Sequence, residues 1–595
     1  MKLPSPGFLI NAFSSAFRRF PGATLCAAAG VAMIFILLDN LTAQGGEWVV
    51  KTWLVCQLGL PLMTGLVAFS ESKEWEEKRG WLLQGAGLVF LAACWFLLDP
   101  NAASFQYVGL PRFFVLLLIA HLFTAVAPYL NQRSVADFWE YNRQLFANIV
   151  IGAVFTLILF AGLSLAILAV DKLFDLNINY RIYPKLFVLL AGIFNTTFFL
   201  FHFPEKYAFS ESDAGYNAVF KNLCKYILIP IVGLYLLILY VYGGKIIVTW
   251  SLPHGWVSSL VLGFAVAGIF TYLLNFYLSE YDDSFWVSAF KRWFWWAQLP
   301  LTALLFAAVA RRIGDYGVTE MRFLVAHLGV WLAVTCLYFL FSKHDNIKYI
   351  PISLGLFALV YAFGPLNAFR VSERSQIGML KNLLEKNGRL ENGRLKQGGP
   401  DIMKEEALNI HSALQFLEQR DALRHLAWLP MPLDSFPKTA GASGDARRIA
   451  AWAHIDAAKP LMENEYLPVR CTEQPFEGID VRGFSSFYKI GLNTPGEKRS
   501  GYFFNLSEDG LHLDWKQAKS GRVSTIESFD LQPVIRKWLS MKTEGDPELV
   551  LKDNYFDLPG RKGSLRVFFN EAVINQGNPV KKLQSFNSYV FLKEK

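Results

Sequence analysis

Residues 149–170 read IVIGAVFTLILFAGLSLAILAV, a run without a charged side chain. A buried helix of a water-soluble protein alternates apolar and polar faces, and this run has no polar face. Because a helix rises about 1.5 Å per residue, a stretch of this length crosses the hydrocarbon core of a bilayer, which is about 30 Å thick. Residues 149–170 therefore predict a membrane-spanning helix.

Comparable apolar runs recur through the first three-fifths of the chain. They cover residues 22–38, 52–69, 81–98, 111–130, 147–170, 184–203, 226–248, 256–278, 294–310, 323–341 and 349–366. A very large soluble helical core is the alternative, and the lack of polar faces argues against it. The sequence predicts a polytopic α-helical membrane bundle with about eleven spans.

Charged residues are sparse before about Phe369 and dense after it. This shift predicts a transmembrane helical bundle over residues 1–369 and a soluble domain over residues 370–595. The formal net charge is +8, but the Lys and Arg residues of the first part sit mostly between apolar runs, where they orient helices against the membrane. We therefore expect no nucleic-acid partner.

The soluble part begins with helical patterns and continues with alternating ones. Ser372 is placed to cap a short amphipathic helix, and Asp401 is placed to open a longer one. From about residue 484 the apolar period switches to two, as in residues 565–569, which indicates strands with one buried face. Pro533 indicates one more helix among them. The pattern predicts an α+β domain, with helices first and a mostly antiparallel sheet later.

The distribution of Lys and Arg between the predicted spans favours a cytoplasmic amino terminus. An odd number of spans then places the soluble domain outside the cytoplasm, whereas one miscounted span would keep it inside. Several spans follow stretches that mix aromatic and basic residues and can lie flat at the headgroup interface. These stretches are residues 13–20, 138–146, 216–225 and 285–296.

Four polar residues, His121, Asn195, Thr196 and His327, lie inside predicted spans. Ionisable groups are costly in a bilayer and can mark a transport pathway. For each histidine, a hydrogen bond between helices is the favoured interpretation. The near absence of carboxylates argues against an ion-coupled pump and leaves a lipid or apolar substrate open. A transporter would need a groove at mid-membrane depth that reaches Asn195 or His327.

Residues 311–322 read RRIGDYGVTEMR. They resemble the Arg-Ile, Tyr-Gly, Thr-Glu and Arg signature of bacterial membrane proteins in the domain-of-unknown-function 4153 family. The other stretches that resemble this family are Phe20-Pro21, FNTTFF at 194–199 with Pro204, FGPLNAF at 363–369, and Val371-Ser372 with Ser375-Gln376 and Leu380. The resemblance spans most of the chain. It implies a multispan membrane protein with a soluble carboxyl-terminal portion, and it implies no activity and no catalytic residue.

The loop at 311–322 supplies the candidate functional or structural residues Arg311, Arg312, Tyr316, Gly317, Thr319 and Arg322. A Tyr-Gly pair suits a tight turn, and the threonine can cap a helix that begins at Glu320. The arginines could bind lipid phosphate or pair with Asp315 and Glu320. A structural turn that pins two helices is favoured over a ligand site.

The sequence contains no Walker A loop, dinucleotide glycine fingerprint, GxSxG elbow or HExxH motif. We therefore expect no catalytic residue, cofactor or metal. The leading hypothesis is a non-enzymatic protein of the bacterial inner membrane that anchors the soluble domain and couples it to a lipid, an envelope protein or an envelope polymer. The alternatives are a transporter or lipid flippase, and a membrane enzyme that acts on lipid-linked substrates.

Overall fold

The computed structural model describes residues 6–39, 46–130, 134–209, 221–249, 257–278, 284–342, 345–399, 402–437, 444–455, 466–471, 483–490, 501–507, 509–519, 522–541, 549–551, 555–575 and 582–594. The chain divides into two compact units. The first comprises Met1–Met379 and Gln419–Ala422, and the second comprises Leu380–Glu418 and Leu423–Lys595. The division after Met379 falls inside a helix that begins at Ala368, close to the predicted boundary at residue 369.

The first unit is a bundle of helices. They are α1 (Pro6–Arg19), α2 (Pro21–Asp39), α3 (Glu47–Ser72), α4 (Glu77–Leu97), α5 (Phe105–Tyr129), α6 (Val135–Phe174), α7 (Ile182–Phe201), α8 (Leu223–Thr249), α9 (Val257–Asn275), α10 (Phe285–Tyr316), α11 (Glu320–Phe341), α12 (Tyr349–Ala362) and α13 (Ala368–Lys386). Among the described residues, the ten helices α2 to α11 are long and apolar enough to cross a membrane. The predicted polytopic α-helical bundle is confirmed, and the chain is a multi-pass membrane protein.

Helix α12 is shorter than the span predicted there. It begins at Tyr349 as expected but ends at Ala362, whereas the prediction continues to residue 366. Its 14 residues rise about 21 Å, which is less than the hydrocarbon thickness of about 30 Å. Gly364, with φ +87°, follows the helix and breaks the apolar run that suggested a longer span.

Helices α6 and α10 are longer than the spans predicted there, with 40 and 32 residues. The aromatic and basic stretches 138–146 and 285–296 form turns of these helices rather than separate segments. Phe138 and Tyr141 are buried, with 4% and 0% of their surfaces exposed. The expectation that residues 138–146 lie flat at the interface is therefore wrong, because these rings are packed inside the bundle.

The apolar part of α6 has the surface of a lipid-facing helix. Ile149, Ile158 and Leu165 are 53%, 63% and 66% exposed. A continuous exposed apolar surface of this length is unfavourable in water. Acyl chains accept it, because the α-helix satisfies its own backbone hydrogen bonds.

Asn367, not Ser372, opens helix α13. The Asn367 Oδ1 accepts a hydrogen bond from the Arg370 N–H at 3.0 Å, the geometry of a helix amino-terminal cap. Ser372 lies within the helix and is fully buried, so the predicted cap is wrong. The other helix start predicted from sequence, Asp401, lies outside the described residues.

The described residues of the second unit form helices and three sheets. Its elements after α13 are β1 (Leu390–Glu391), β2 (Arg394–Leu395), α14 (Lys404–Glu418), α15 (Asp445–Trp452), β3 (Tyr466–Cys471), β4 (Ser486–Ile490), β5 (Tyr502–Leu506), β6 (His512–Lys519), β7 (Arg522–Asp530), α16 (Gln532–Ser540), β8 (Leu549–Leu551), β9 (Tyr555–Leu558), β10 (Gly563–Asn575) and β11 (Lys582–Glu594). The largest sheet has the order β4-β11-β10-β3-β8, with β9 also paired to β10. All described pairs are antiparallel except β3 with β8. The predicted α+β fold is confirmed.

The core of this unit follows the alternation seen in the sequence. Leu565, Val567 and Phe569 of β10 are at most 1% exposed. Helix α16 places Trp538 against Phe569, with ring centroids 4.7 Å apart. The helix that Pro533 predicted is present, and it packs against one face of the sheet.

Candidate functional site

The loop with the family signature is a tight turn between α10 and α11. Gly317 has φ +68°, in the left-handed region that favours glycine. The Arg322 guanidinium donates to the carbonyl oxygens of Tyr316 and Gly317, at 2.9 and 2.8 Å. Gly317 and Arg322 thus build the turn itself.

The same turn packs against helix α13. The Ser375 hydroxyl accepts a hydrogen bond from the Val318 N–H at 2.8 Å. The Gln376 amide donates to the carbonyl oxygens of Tyr316 and Val318, at 3.2 and 3.1 Å. Two sequence stretches that resemble the family, about 57 residues apart, therefore meet in space, and side chains of the second satisfy backbone groups of the first.

Glu320 starts helix α11 and pairs with a residue that the sequence analysis did not consider. Arg420 donates to its two carboxylate oxygens at 2.5 and 3.1 Å, and both side chains are nearly buried. The expected pairing of Glu320 with the loop arginines is therefore wrong. Thr319 occupies the cap position with extended backbone, but its side chain makes no capping hydrogen bond. Nothing in the sequence pattern could have linked Arg420 to this turn.

The remaining loop arginines lie on the last turns of α10. Arg311 is exposed and Arg312 is half-buried. The side chain of Asp315, the other expected partner, lies outside the described part of the chain.

His327 and His121 make different hydrogen bonds. His327 Nε2 lies 2.8 Å from the Phe357 carbonyl oxygen, so it connects α11 to α12. Because a carbonyl oxygen only accepts, Nε2 carries the hydrogen. His121 Nδ1 lies 2.8 Å from the Leu117 carbonyl oxygen in its own helix.

Asn195 lies where α7 crosses α6. It directly follows the π-helical turn Leu190–Phe194. Its side-chain oxygen is buried and has no hydrogen-bond partner in the described residues. At Gly152 of α6 an added Cβ would come within 2.5 Å of that oxygen. Thr196 beside it is half-buried. This polar cluster is thus part of a close helix contact.

A large apolar cavity lies elsewhere in the bundle, between α5, α6, α9, α11 and α12. Its volume is about 520 Å³, within the range of about 300–1,000 Å³ that is usual for ligand pockets. Its walls are mostly aliphatic and aromatic, for example Leu122, Phe270 and Leu332. Val266 lines it and is 71% exposed, so it lies at the opening. None of the four predicted intramembrane polar residues lines this cavity.

The polar residues of the lining, Asn142 and Arg143 of α6, lie at one end, which we call the polar end, although the exposed lining is apolar almost throughout. The buried Glu140 carboxylate accepts from the Arg143 guanidinium at 2.7 and 2.5 Å, and from Gln144 at 2.9 Å. The Trp139 indole donates to the Leu273 carbonyl oxygen at 2.8 Å and ties α6 to α9. The polar end is therefore held rigidly by paired groups.

The depth of the cavity corresponds to about one leaflet. On α9 its lining extends from Leu262 to Leu274, a rise of about 18 Å against a leaflet of about 15 Å. Its polar end lies at the membrane face where α5 and α9 end and where α6 and α12 begin. The sequence indicated this end only through the aromatic and basic stretch 138–146, because apolar walls give no motif.

A second polar cluster anchors α1 and α3. The Arg19 guanidinium donates to both Glu71 oxygens, at 3.0 and 2.8 Å, and to the Phe203 and Pro204 carbonyls at 3.0 and 2.6 Å. The Tyr207 hydroxyl donates to Glu71 at 2.6 Å. Burial, and then the Glu71 charge, raise the pKa of Tyr207 well above its usual range. The polar groups of this cluster pair with one another, and the cluster connects α1 to α3.

Comparison with known proteins adds the family. Residues 25–382 match a domain of unknown function, DUF4153. The chain belongs to the DUF4153 family. An uncharacterized protein of Pasteurella multocida (strain Pm70) is 27% identical over 219 residues, which is 36% of this chain and 36% of that protein. The chain thus matches only about a third of the length of this curated relative. No solved structure matches the chain.

The region that matches DUF4153 contains both the signature turn and the entire lining of the cavity. Most of the second unit lies outside it. The features of the bundle therefore belong to the DUF4153 part of the chain, and the α+β unit is additional.

Proposed function

We propose that the DUF4153 bundle binds the acyl chain of a membrane lipid in the apolar cavity, with the polar part of that lipid at Asn142 and Arg143. The supporting observation is the cavity itself, which is apolar over about one leaflet and has Asn142 and Arg143 in its lining at one end. On this view the protein is a non-enzymatic, lipid-binding anchor for its α+β domain.

Binding of this kind cannot depend on the hydrophobic effect. A lipid tail is already in an apolar environment, so moving it into the cavity removes no apolar surface from water. Selectivity must come from shape and from polar contacts. Arg143 is the charged residue of the lining, and its hydrogen bonds to the buried Glu140 fix its position.

The location and orientation belong to the same proposal. We propose the bacterial inner membrane, with a cytoplasmic amino terminus because basic residues favour that orientation. Helix α12 is short, but it starts at the face where α11 ends, and α13 after it contacts the signature turn at the opposite face. We therefore count α12 as an eleventh crossing and propose an extracytoplasmic α+β domain. The polar end of the cavity would then face the cytoplasmic leaflet. Compartment-sensitive reporters fused after Lys595 test this: activity of a cytoplasm-specific reporter would overturn the orientation.

The lipid proposal is tested by filling the opening. Val266→Trp places a bulky ring at the exposed rim, and Val241→Trp, on α8 at 68% exposure and outside the cavity lining, is its matched control. Each variant is purified in a mild detergent, and bound phospholipid is counted by native mass spectrometry. We expect V266W to bind about one phospholipid fewer per protein than wild type, since a shape-matched site tolerates little added volume. Equal retention in V266W and V241W would contradict the proposal.

A lipid flippase is the second candidate, although neither Asn195 nor His327 lines the apolar cavity. The π-helical turn before Asn195 favours it, because such turns occur often at functional sites. The test is transfer of a fluorescent phospholipid between leaflets of proteoliposomes. Transfer above that of protein-free vesicles, abolished by Asn195→Leu, would favour the flippase over the anchor.

A further inference from the structure

A second pocket lies at the membrane face where α10 begins. Its volume is about 450 Å³, and the ends of α9 and α11 complete it. Its charged residues are Lys291, Arg292 and Asp345. It is distinct from the apolar cavity, because Tyr272 of α9 lines this pocket while Leu273 and Leu274 line the cavity.

Stacked aromatic rings form the wall of the pocket. Trp295 stacks on Phe339 at 4.6 Å with an interplanar angle of 4°, and it contacts the edge of Tyr272 at 5.1 Å. The Lys291 ammonium lies 4.6 Å above the Phe276 ring. This ring contact restrains the Lys291 side chain, which lowers the entropy lost on binding.

The pocket lies at headgroup depth. Trp286, Trp293 and Trp296 on the first turns of α10 are 69%, 60% and 52% exposed. Exposed tryptophans at the end of a spanning helix mark the membrane–water interface. Lys291 and Arg292 are within the same turns, so they are at the level where lipid phosphates are found.

We infer that this pocket binds the phosphodiester headgroup of an anionic membrane phospholipid. Two cations and one carboxylate leave one net positive charge, which matches the single charge of a phosphodiester. Ser288, one turn before Arg292 on the helix, contributes a hydroxyl donor. Asp345 offsets part of this positive charge and so disfavours headgroups with a second negative charge.

The test measures binding of phosphatidylglycerol to the full-length protein by native mass spectrometry, with phosphatidylcholine as the zwitterionic reference. We expect K291Q/R292Q to bind phosphatidylglycerol about thirtyfold more weakly, because each of the two interfacial basic residues contributes about 1 kcal/mol. K78Q/R79Q is the matched control: it removes an exposed Lys-Arg pair from the first turn of α4 at the same face. We expect it to leave binding within about twofold.

Two further variants keep the result independent of folding defects. The exchange K291R/R292K retains both charges and should retain binding, whereas Asp345→Asn should strengthen binding about fivefold by removing repulsion. Equal losses in K291Q/R292Q and K78Q/R79Q, or no response to Asp345→Asn, would overturn the inference. V266W should leave this site unchanged, so failure of the cavity proposal and failure of this one are distinguishable.

Discussion

The signature turn and the apolar cavity lie at opposite faces of one bundle and use their residues in opposite ways. At the turn, backbone carbonyls and the Glu320 carboxylate are satisfied by the chain's own Arg322, Gln376 and Arg420. In the cavity, aliphatic walls leave about 520 Å³ between helices. The residues that make this family recognisable therefore stabilise the fold, whereas the residues that line the cavity form no recognisable sequence motif.

The turn should therefore respond to substitution through stability. The largest effect is expected for Arg420→Met, which leaves the buried Glu320 carboxylate without its partner. Breaking a buried ion pair typically costs about 3–5 kcal/mol. Unfolding in detergent would measure this loss, and adding Glu320→Gln should restore part of it. An R420M protein as stable as wild type would break the comparison.

The cluster of Arg19, Glu71 and Tyr207 sharpens the comparison. It lies at the same membrane face as the polar end of the cavity, yet its polar groups are hydrogen-bonded within the protein, like those of the turn. Tyr207→Phe removes a hydrogen bond to the charged Glu71 and should cost about 1.5–3 kcal/mol.

The same cluster gives a pH dependence. The pKa of Tyr207 is raised by burial and by Glu71. The stabilisation that its protonated hydroxyl gives the folded protein is therefore complete below about pH 10, the pKa of a tyrosine in the unfolded chain. It is lost as pH rises from there toward the folded pKa, because the unfolded state then binds fewer protons. Between pH 8 and pH 11, the melting temperature of the wild-type protein should fall more steeply with pH than that of Y207F. Parallel curves would contradict this assignment.

Gly317→Ala tests the turn itself. A non-glycine residue at φ +68° costs about 1–2 kcal/mol, and its Cβ would lie 3.0 Å from the Gln376 amide nitrogen. Gly314→Ala is the matched control, since it lies in α10 with no atom within 4 Å of its Cβ and should be neutral or slightly stabilising. Equal stability of the two variants would show that the turn does not require glycine.

The smallest effect on stability is expected in the cavity. V266W should change the free energy of unfolding by less than about 0.5 kcal/mol, because the rim residue is exposed. It should nevertheless lose bound lipid, while G317A should lose stability and keep its lipid. A strongly destabilised V266W protein would show that the cavity rim also stabilises the fold, and would contradict the difference between the two regions.

The sequence predicted the bundle well because apolar runs without charge have few alternatives to a bilayer. It failed at α12, where an apolar run continued beyond the helix to Gly364. It also misplaced the start of α13, because Ser372 and Asn367 are equally good caps and only tertiary packing selects one.

The candidate site was less accessible to sequence reasoning. The signature arginines suggested a ligand or mutual pairing, but Glu320 pairs with Arg420, about 100 residues away. The cavity was missed because Leu, Val and Phe that line a cavity read the same as those that face lipid. The aromatic and basic stretch 138–146 was the available signal, and its buried rings reach the cavity's polar end.

The central claim, that the cavity holds a lipid chain, is tested most directly by a cryo-EM map of the full-length protein in native-lipid nanodiscs. The account predicts elongated density beside α9 from Leu262 to Leu274, ending in a polar group at Arg143. Side chains that close this space, or ordered water within it, would contradict the account.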